Sequence, residues 1–312
     1  MSEYIQQNQT VMSFDGDESW VIMSPLELSI KRKIETVGVP LKEWNIKIYR
    51  GVLTGFNEAF IISGQKKDEL IAADPKSAEI IRPILRGRDI KRYDYEFDDL
   101  WIIATFPSRK YNIDDFPAVK KHLLSFGIER LEQTGQTHIV NGEKIKSRKK
   151  TNNKWFETQD SISYWDDFSK RKIVWGNLCL SAQYSMVEEE YYINAPSPML
   201  INGDKYLLAM LNSNVVDWYI RNLGVTRNGG YFEYKPMFVE MAPIPHIENE
   251  MKEIIIKYVD EIQLRKSKKI NTKLIENELN QVVYRIYGLS EIEIAYFESK
   301  LEITSDSASD NP

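Results

Sequence analysis

Short apolar runs bounded by polar residues constrain the fold of this sequence more than any other feature. Residues 101–104, 173–175 and 199–201 are long enough for short buried strands and too short for helices. Longer amphipathic stretches with helix-capping signals lie among them, without a regular alternation of strand and helix. The sequence therefore predicts an α+β fold with twisted, mostly antiparallel sheets, flanking helices and a C-terminal helical hairpin.

Capping residues predict helix boundaries in the first part of the chain. Residues 26–37 carry apolar side chains at helical spacing and are followed by Gly38, which predicts a helix that ends there. Asp74 precedes Pro75, a pair typical of a helix start, and we expect Ile80, Ile81 and Ile84 to share one face of that helix.

Two connecting segments differ in the conformation that is predicted for them. Residues 54–57, with the sequence Thr-Gly-Phe-Asn, predict a tight turn between two strands, because Gly and Asn tolerate positive φ. Residues 127–153 are polar and poor in apolar pairs, which predicts a long loop without regular structure. Such long loops are usually functional or disordered, so the second segment is a candidate binding element.

The last third of the sequence predicts helices. Asp204 is expected to cap one helix whose apolar stripe runs over residues 207–219. The Pro-Ile-Pro sequence at residues 243–245 breaks the chain. Amphipathic helices are predicted beyond it, over residues 251–262 and 275–286, and together they form the expected helical hairpin.

The charged residues are segregated along the chain. The net charge of −5 by itself argues against nucleic-acid binding. Residues 144–154, however, contain six cations and no acid, and residues 82–92 contain five cations beside Asp89. Phosphates respond to the local potential, because charges are screened over about 8–10 Å at physiological salt. Each run alone is equally compatible with a solvated loop, but two such runs beside aromatic residues favour phosphate contacts.

Composition argues against several other classes of site. Cys179 is the single cysteine, which excludes internal disulfides and cysteine-based zinc clusters. The three histidines lie far apart in sequence, without the spacing of metal ligands. The sequence has no apolar run that approaches the ~20 residues of a transmembrane helix, and its first residues lack a signal-peptide pattern. We therefore expect a cytoplasmic protein without a metal site or a membrane partner.

Residues 49–93 carry a resemblance to a known family, and they read YRGVLTGFNEAFIISGQKKDELIAADPKSAEIIRPILRGRDIKRY. Further segments follow in the family's order: WIIAT at 101–105, KTNNKWFETQDSISYW at 150–165, KIVWG at 172–176, LLAMLNSNVVDWYIR at 207–221 and Pro-Ile-Pro at 243–245. In this ordered set the sequence resembles the C-terminal specificity domain, also called the target recognition domain, of TaqI-like adenine-N6 DNA methyltransferases and type IIG restriction-modification enzymes.

The resemblance implies recognition of double-stranded DNA together with a methyltransferase or endonuclease domain or subunit. Catalytic motifs of those enzymes are missing from this sequence: the Asn-Pro-Pro-Tyr/Phe loop for the target adenine, the glycine-rich cofactor turn and the Pro-Asp dipeptide of the common nuclease signature. We therefore expect no catalytic residues, no bound metal and no cofactor in this chain. S-adenosylmethionine and Mg²⁺ would be needed only by the catalytic domains.

The resemblance and the break at residues 243–245 together predict four segments. These are a flexible linker at residues 1–19, a DNA target recognition domain at 20–245, a C-terminal helical segment at 246–302 and a disordered tail at 303–312.

Candidate DNA contacts follow from the chemistry of DNA recognition. Arg and Lys contact phosphates or guanine edges, and Asn contacts adenine edges. Residues 226–231 are attractive because their two glycines let the backbone approach closely, and the resemblance implies that this segment lies near DNA. The predicted DNA-binding residues are Arg86, Arg88, Lys91, Arg92, Lys146, Arg148, Lys149, Lys150, Asn152, Asn153, Lys154, Arg227, Asn228 and Tyr231.

Two other functions remain open from the sequence. One is a nuclease that uses an unfamiliar carboxylate site, such as Asp160 with Asp166 and Asp167. The other is a protein-interaction module in which the C-terminal helices dock a methyltransferase subunit or a second copy of the chain. Metal-dependent cleavage would support the first function, and co-purification with a methyltransferase without DNA affinity would support the second.

Overall fold

The computed structural model describes residues 23–188, 190–224 and 226–306, with side chains through residue 299. The predicted linker at residues 1–19 lies outside the described residues, as does the end of the predicted tail, residues 307–312. Residues 303–306 belong to the last helix. In the described part of the chain, no helix combines the length and apolar character needed to cross a membrane.

The helices follow the chain from the first described residues to the last. They are α1 (Pro25–Val37), α2 (Asn57–Phe60), α3 (Gly64–Ala73), α4 (Pro117–Leu124), α5 (Ile128–Leu131), α6 (Lys205–Asn212), α7 (Asn214–Leu223), α8 (Pro236–Val239), α9 (Asn249–Ser267), α10 (Lys273–Ile286) and α11 (Glu291–Asp306).

The strands are short and concentrated in the first four-fifths of the chain. They are β1 (Val39–Pro40), β2 (Lys47–Arg50), β3 (Ile61–Ser63), β4 (Ile81–Leu85), β5 (Ile90–Lys91), β6 (Asp94–Tyr95), β7 (Leu100–Ile103), β8 (Thr137–Val140), β9 (Glu143–Lys146), β10 (Lys172–Trp175), β11 (Leu178–Cys179), β12 (Tyr184–Val187), β13 (Tyr192–Ile193), β14 (Pro198–Ile201), β15 (Phe232–Glu233) and β16 (Pro243–Ile244).

Two four-stranded sheets form the centre of the fold. The first has the strand order β12-β10-β14-β2 and is antiparallel throughout. The second has the order β13-β4-β7-β3, in which β13 runs parallel to β4 and the other pairs are antiparallel. Two-stranded ladders join β1 to β16, β5 to β6, β8 to β9 and β11 to β15. The predicted α+β fold with mostly antiparallel sheets is confirmed.

The fold has four layers: the two sheets pack face to face in the middle, and helices cover the outer face of each sheet. On β10, Ile173 and Trp175 face a core shared with α6, α7, α9 and α10, whereas Val174 faces the second sheet. On β7, Ile102 faces the first sheet and Ile103 packs against the other side, where α3 and α4 lie. Since successive strand residues point to opposite faces, each sheet buries both faces. This burial explains why the strands are continuous apolar runs in the sequence.

The structure confirms the predicted first helix and corrects the second. Ser24 and Glu27 form a capping box at the start of α1, with Ser24 N donating to Glu27 Oε2 at 2.7 Å. Asp74 does act as a cap, but of a short 3₁₀ turn over Pro75–Glu79. Residues 80–84 were expected to be helical, yet β4 occupies Ile81–Leu85, because its β-branched side chains pack on both faces of the second sheet.

Two further predictions of regular structure are wrong. The single helix expected after Asp204 is two helices, because Ser213 adopts an extended conformation and its hydroxyl accepts from Val216 N at 3.3 Å, which caps α7. The supposedly unstructured residues 127–153 contain α5 and the β8–β9 hairpin. The signal for this hairpin was present in the sequence: Asn141 and Gly142 both have positive φ at its turn, as an Asn-Gly turn prefers.

The C-terminal helical hairpin is confirmed as α9 and α10. Ile255, Val259 and Ile262 of α9 are fully buried in the core that also contains α6. Tyr287, just after α10, donates from its hydroxyl to the carbonyl of Pro243 at 2.6 Å. The hairpin therefore shares the core of the first sheet, and the segment boundary at residue 245 stays a prediction from sequence.

Candidate nucleic-acid interface

Arg148 is buried at the centre of the substructure formed by residues 127–160, with 2% of its surface exposed. Its guanidinium donates to four main-chain carbonyls, those of Leu131 (2.8 Å), Thr54 (2.8 Å), Glu157 (2.7 Å) and Trp155 (2.7 Å). Burial lowers the pKa of Arg148 to about 10, so the group stays charged at neutral pH. The prediction that Arg148 contacts DNA is wrong, because the protein's own backbone occupies its donors.

Inward-facing polar groups fold the rest of this basic segment. Gln133 Nε2 donates to the carbonyl of Lys154 at 3.1 Å, and Thr151 Oγ1 donates to Gln133 Oε1 at 2.8 Å. Asn153 Nδ2 donates to the carbonyl of Gln159 at 2.9 Å. Because its amide donor is used inside the loop, Asn153 is placed to hold the loop's shape, not to read a base, and its predicted role as a DNA contact is not supported.

The other predicted residues of this segment face solvent. Their side chains have no carboxylate partner among the described residues, which leaves their charges or amides available to an external ligand. They are Lys146, Lys149, Lys150, Asn152 and Lys154.

Gly55 allows the close approach on which the burial of Arg148 depends. It has φ of +77°, and a Cβ at this position would lie 2.7 Å from Gln159 Oε1 and 3.1 Å from Arg148 Cδ. Thr54 Oγ1 accepts from Phe56 N at 3.1 Å, which closes the turn. The Thr-Gly-Phe-Asn segment therefore has a structural role, and α2 begins within it, so it leads into a short helix before the next strand.

The basic run at residues 82–92 is divided between internal ion pairs and exposed cations. Arg86 donates to Asp89 (Nη2 to Oδ1, 2.8 Å) and to Asp98 (2.6 Å), and the carboxylate of Asp89 raises its pKa above the usual value despite partial burial. Arg88 and Lys91 are exposed, and Lys91 Nζ lies 3.9 Å from Glu96 Oε2. Only the exposed pair is free enough to contact a phosphate without breaking a short ion pair.

Arg92 is directed toward the C-terminal helices. Its guanidinium donates to the carboxylate of Glu276 on α10 and to the carbonyl of Asn212 at the end of α6. Burial alone would lower the pKa of Arg92, but the neighbouring Tyr93 and Glu276 raise it above its usual value. Arg92 was predicted to make either a phosphate contact or a surface ion pair; the structure favours an ion pair, a partly buried one that links two parts of the fold.

Residues 226–231 form the tip of a small hairpin. Thr226 pairs with Phe232, and Arg227 N donates to the carbonyl of Tyr231 at 2.7 Å. Gly229 and Gly230 both have positive φ, and space is open where a Cβ on Gly230 would lie. Asn228 and Tyr231 are exposed, so the tip presents an amide and an aromatic ring beside a bare backbone.

Arg227 is held at the base of this tip by Glu233. Its Nε donates to Glu233 Oε1 at 2.6 Å, while Lys235 Nζ lies 2.7 Å from Oε2 of the same carboxylate. The Lys235 and Arg227 cations hold the pKa of the Glu233 carboxyl below its usual value. The Arg227 side chain is still 53% exposed. It can therefore leave the carboxylate for another acceptor, since Lys235 would remain paired with it.

Three strand segments bring these loops to one edge. The strand β13 runs parallel to β4, and Val52 pairs with Asn194 in the parallel sense. Asn194 N donates to Leu85 O at 2.9 Å, and Ala195 N donates to Val52 O at 2.9 Å. Parallel strands run in the same direction. Residues 52, 85 and 193, at the carboxyl ends of these three segments, therefore lie at one edge of the sheet. We call this the carboxyl edge.

The predicted segments attach to the carboxyl edge in order. Arg86 follows Leu85 directly. Leu53 O accepts from Gln159 N at 3.1 Å, and this bond joins residues 146–160 to the edge. Gly87 also lies close to Gly176, because a Cβ on Gly87 would be 3.9 Å from Gly176 Cα. Gly176 comes just before β11, and β11 pairs with β15 beside the 226–231 tip. The structure thus brings two basic segments and the 226–231 tip, from distant parts of the chain, to one region.

A third basic run, residues 265–273, was not predicted as a site. It contains five cations and no acid. The amphipathic segments on both sides of it predicted helices, and the charge of the connection between them was not part of the predicted site. The density of Lys and Arg in this short connection between two helices was the signal that could have found it.

The carboxylates of the alternative nuclease site do not form a cluster. Asp160 Oδ2 lies 3.7 Å from Arg50 Nη1, and Asp167 Oδ1 lies 2.6 Å from Lys170 Nζ. Among the described residues, no group of three or more His, Cys, Asp or Glu is arranged to hold a metal ion.

Comparison with known proteins identifies the family. Residues 82–244, just over half of the chain, match the TaqI-like C-terminal specificity domain. The chain belongs to this family. The match covers three of the four strands of each central sheet, the basic hairpin and loop, and the 226–231 tip, whereas β2 and β3 precede it. The candidate DNA-binding residues all lie inside the matched region.

Two curated relatives are type II methyltransferases. M.XhoI of Xanthomonas vasicola is 21% identical over 89% of this chain and 47% of its own length. M.MjaIV of Methanocaldococcus jannaschii is 26% identical over 77% of each chain. The specificity-domain chain thus spans about half the length of the Xanthomonas enzyme.

Solved structures of restriction-modification enzymes share the fold. The type IIL restriction-modification enzyme MmeI, solved in complex with DNA, superposes with a TM-score of 0.58 at 13% identity over 86% of this chain and 36% of its own. The type IIG restriction endonuclease BpuSI gives a TM-score of 0.50 at 15% identity, over 84% of this chain and 33% of its own. At these identities the likeness shows the fold alone.

Proposed function

We propose that this chain recognises a specific sequence in duplex DNA as the specificity domain of a restriction-modification enzyme. The observation that carries the proposal is the convergence of two basic segments and the 226–231 tip at the carboxyl edge in a chain whose net charge is −5. Segregated cations create a local positive potential that the net charge conceals, and DNA phosphates respond to that local potential.

The exposed residues divide into two proposed roles. Those that position the duplex through phosphates are Arg88, Lys91, Lys146, Lys149, Lys150 and Lys154. Those that read base edges are Asn152, Arg227, Asn228 and Tyr231. Phosphate contacts fix the register of a protein on DNA and carry no sequence information directly, whereas Arg and Asn discriminate bases through paired donors and acceptors. Arg86 supports both groups indirectly, because its ion pairs with Asp89 and Asp98 hold it at the carboxyl edge.

Arg227 is the proposed guanine-reading residue. In the free protein its guanidinium is paired with Glu233, and it would exchange this carboxylate for the O6 and N7 atoms of guanine. Lys235 stays against Glu233 and limits the cost of the exchange, because the carboxylate is not left without a cation.

The catalytic partner is also part of the proposal. This chain corresponds to about half of a type II methyltransferase relative and about a third of two restriction-modification enzymes. We propose that methyl transfer and cleavage are performed by a catalytic domain or subunit that uses S-adenosylmethionine and Mg²⁺. This chain would supply specificity without catalysing either reaction, in the cytoplasm where the DNA is.

Fluorescence anisotropy across a salt series tests the proposal. A half-interface with roughly 3–5 phosphate contacts gives a log–log slope of about −3 to −4.5 on duplex DNA. Selection from random duplexes, with the catalytic partner restored, should then yield one preferred sequence. A flat salt dependence, or the absence of any preferred sequence, would contradict the proposal.

A second candidate function is favoured by apolar side chains on the C-terminal helices. Leu274 on α10 is 71% exposed and Ile292 on α11 is 72% exposed, and both are large enough to contribute to a protein interface. If docking a methyltransferase subunit is the main role, the chain co-purifies with that subunit and shows no DNA affinity of its own.

A further inference from the structure

A cleft of about 730 Å³ separates the connection between α9 and α10 from the body of the domain. Arg92 and Ser181 line it on the side of the sheets, and Lys266, Lys269 and Lys273 line it on the side of the helical hairpin. Four cations from two distant parts of the sequence therefore face one open space.

The lysines of the connection are the least neutralised part of this cleft. Arg265 is paired with Glu261 at 2.6 Å, and Lys266 lies 3.7 Å from Glu276. Lys269 and Lys273 line the cleft, and Lys268 precedes Lys269 in the same connection. All three are exposed and, within the described residues, have no carboxylate partner. Three positive charges within six residues repel one another unless an anion is present.

The acids in the cleft are already paired with other groups. Glu276 accepts from Arg92 and from Thr272 Oγ1, the latter at 2.7 Å. Asp217 accepts from Arg221, with Nη2 at 2.8 Å from Oδ2. These pairings leave the exposed lysines as the uncompensated charge of the cleft.

The cleft lies beside the 226–231 tip. Ser181 follows Leu180, whose carbonyl accepts from Arg221 Nη2 at 2.9 Å. The guanidinium of Arg221 also lies 4.4 Å from the ring centroid of Phe232, which pairs with Thr226 at the base of the tip. Arg221 therefore connects the lining of the cleft, through Asp217, with the base of the tip.

We propose that this cleft is a phosphate-binding site for the backbone of the duplex that the 226–231 tip reads. The inference rests on the proposed function and adds a second contact region, on the C-terminal helical hairpin. Lysine suits this task, because its ammonium group is a mobile point charge that contacts phosphates without requiring a fixed geometry. The amides of Asn271 and Asn277 line the same cleft and offer neutral donors to phosphate oxygens.

Charge-removing substitutions at the three exposed lysines test the inference. If the cleft adds its contacts to those of the carboxyl edge, the parent slope on duplex DNA becomes about −5 to −7, and the triple variant Lys268→Gln, Lys269→Gln and Lys273→Gln should reduce its magnitude by about 2–3, since each phosphate contact contributes about 0.9. The preferred sequence should not change. The matched triple variant with Arg at the same positions keeps the charge and should retain the slope of the parent chain.

A control removes the same charge elsewhere. Lys42, Lys121 and Lys257 are exposed lysines on three different elements, without a carboxylate partner in the described part of the chain. Changing these three to Gln should alter the log–log salt slope by less than about 0.9, the contribution of one phosphate contact. Circular dichroism and thermal melts of every variant check that the fold is retained.

The outcomes separate this inference from the proposed function. A parent chain that does not bind duplex DNA overturns both. A parent chain with a steep slope that the cleft variant leaves unchanged overturns only the cleft. Retained DNA binding with loss of a methyltransferase partner also overturns it, because the surface would then be a protein-docking site. Millimolar inorganic phosphate at constant ionic strength should compete only weakly; full competition would assign the cleft to free phosphate instead.

Discussion

The guanidinium of Arg148 donates a 2.8 Å hydrogen bond to the main-chain carbonyl of Thr54, 94 residues earlier in the sequence. Thr54 follows Val52 at the carboxyl edge, and Arg148 lies at the centre of the basic segment. One buried side chain therefore fixes the exposed lysines relative to the sheet.

Replacing Arg148 with Met should destabilise the protein strongly. The change removes donors from four carbonyls within a buried site, and unpaired buried groups cost about 1–3 kcal/mol each before relaxation. We expect a loss of about 3 kcal/mol or more in the free energy of unfolding, measured by urea denaturation. Lys149→Met, next to it and exposed, should change stability by less than about 0.5 kcal/mol. Equal effects of the two changes would contradict the assignment.

Removing charge from the exposed lysines of the same segment should weaken DNA binding without unfolding the chain. The variant Lys149→Gln, Lys150→Gln and Lys154→Gln should lower affinity about equally for all duplexes, because phosphate contacts are not sequence-specific. The salt slope should fall in magnitude by up to about 3, measured by anisotropy between low and moderate salt. A loss confined to one sequence would assign base reading to this segment.

Arg227→Ala should affect sequence preference. If Arg227 makes a bidentate contact with guanine, the change costs about 1–3 kcal/mol on the preferred duplex and little on others. The measurement compares affinity for the selected sequence with affinity for random duplex. Lys235→Ala also removes one cation from Glu233; because it raises the cost of releasing Arg227 but keeps the guanidinium, it should reduce base preference less than Arg227→Ala does. An equal loss on both duplexes would make Arg227 a phosphate contact, with Asn152 the next candidate for base reading.

Glu276→Gln should reveal the pH dependence of the contact with Arg92. Burial raises the pKa of Glu276, but Arg92 outweighs burial, and the net pKa lies below the usual value of 4.5. The charged carboxylate therefore contributes stability above about pH 4.5, and this contribution is lost as the pH falls through the lowered pKa. We expect the variant to be less stable at pH 7 by about 2 kcal/mol, since the buried cation loses its partner.

Urea denaturation at several pH values measures this difference. The gap between the parent chain and Glu276→Gln should shrink as the pH falls below about 4.5, where the parent carboxyl also becomes neutral. A gap that stays constant from pH 7 to acid would mean that the charge of Glu276 does not contribute.

Cys179 should react slowly with alkylating reagents at neutral pH. Burial raises the pKa of its thiol to about 11, so the reactive thiolate is a small fraction below that pH. Mass spectrometry after iodoacetamide treatment should show slow modification of the folded chain, with a rate that rises toward pH 11. The chain unfolded in urea provides the control and should react much faster.

The sequence predicted what local patterns determine. Strands such as β10 and β14 followed from continuous apolar runs, and α1 followed from its spacing and its stop at Gly38. The error at Ile81–Leu85 arose because a run of isoleucine suits a helical face and a buried strand alike. Only pairing with β7, a partner distant in sequence, decides between them.

The candidate site was less predictable, because burial of a charged side chain depends on distant backbone. Arg148 lies among lysines that are exposed, and nothing in its own neighbourhood distinguishes it. Its acceptors include Thr54, and the partner of Arg92 is Glu276, 184 residues away. Composition marks where cations are dense, and the three-dimensional fold decides which of them remain available.

The carboxyl edge separates the framework of this protein from its recognition loops. Main-chain hydrogen bonds from Asn194 to Leu85 and from Ala195 to Val52 fix the edge, and these bonds do not depend on side chains in the loops that follow. Exposed positions such as Asn152 and Asn228 can therefore be substituted without changing strand register. Under the proposed function, such an arrangement would let new target sequences arise by a few surface substitutions without changes to the framework.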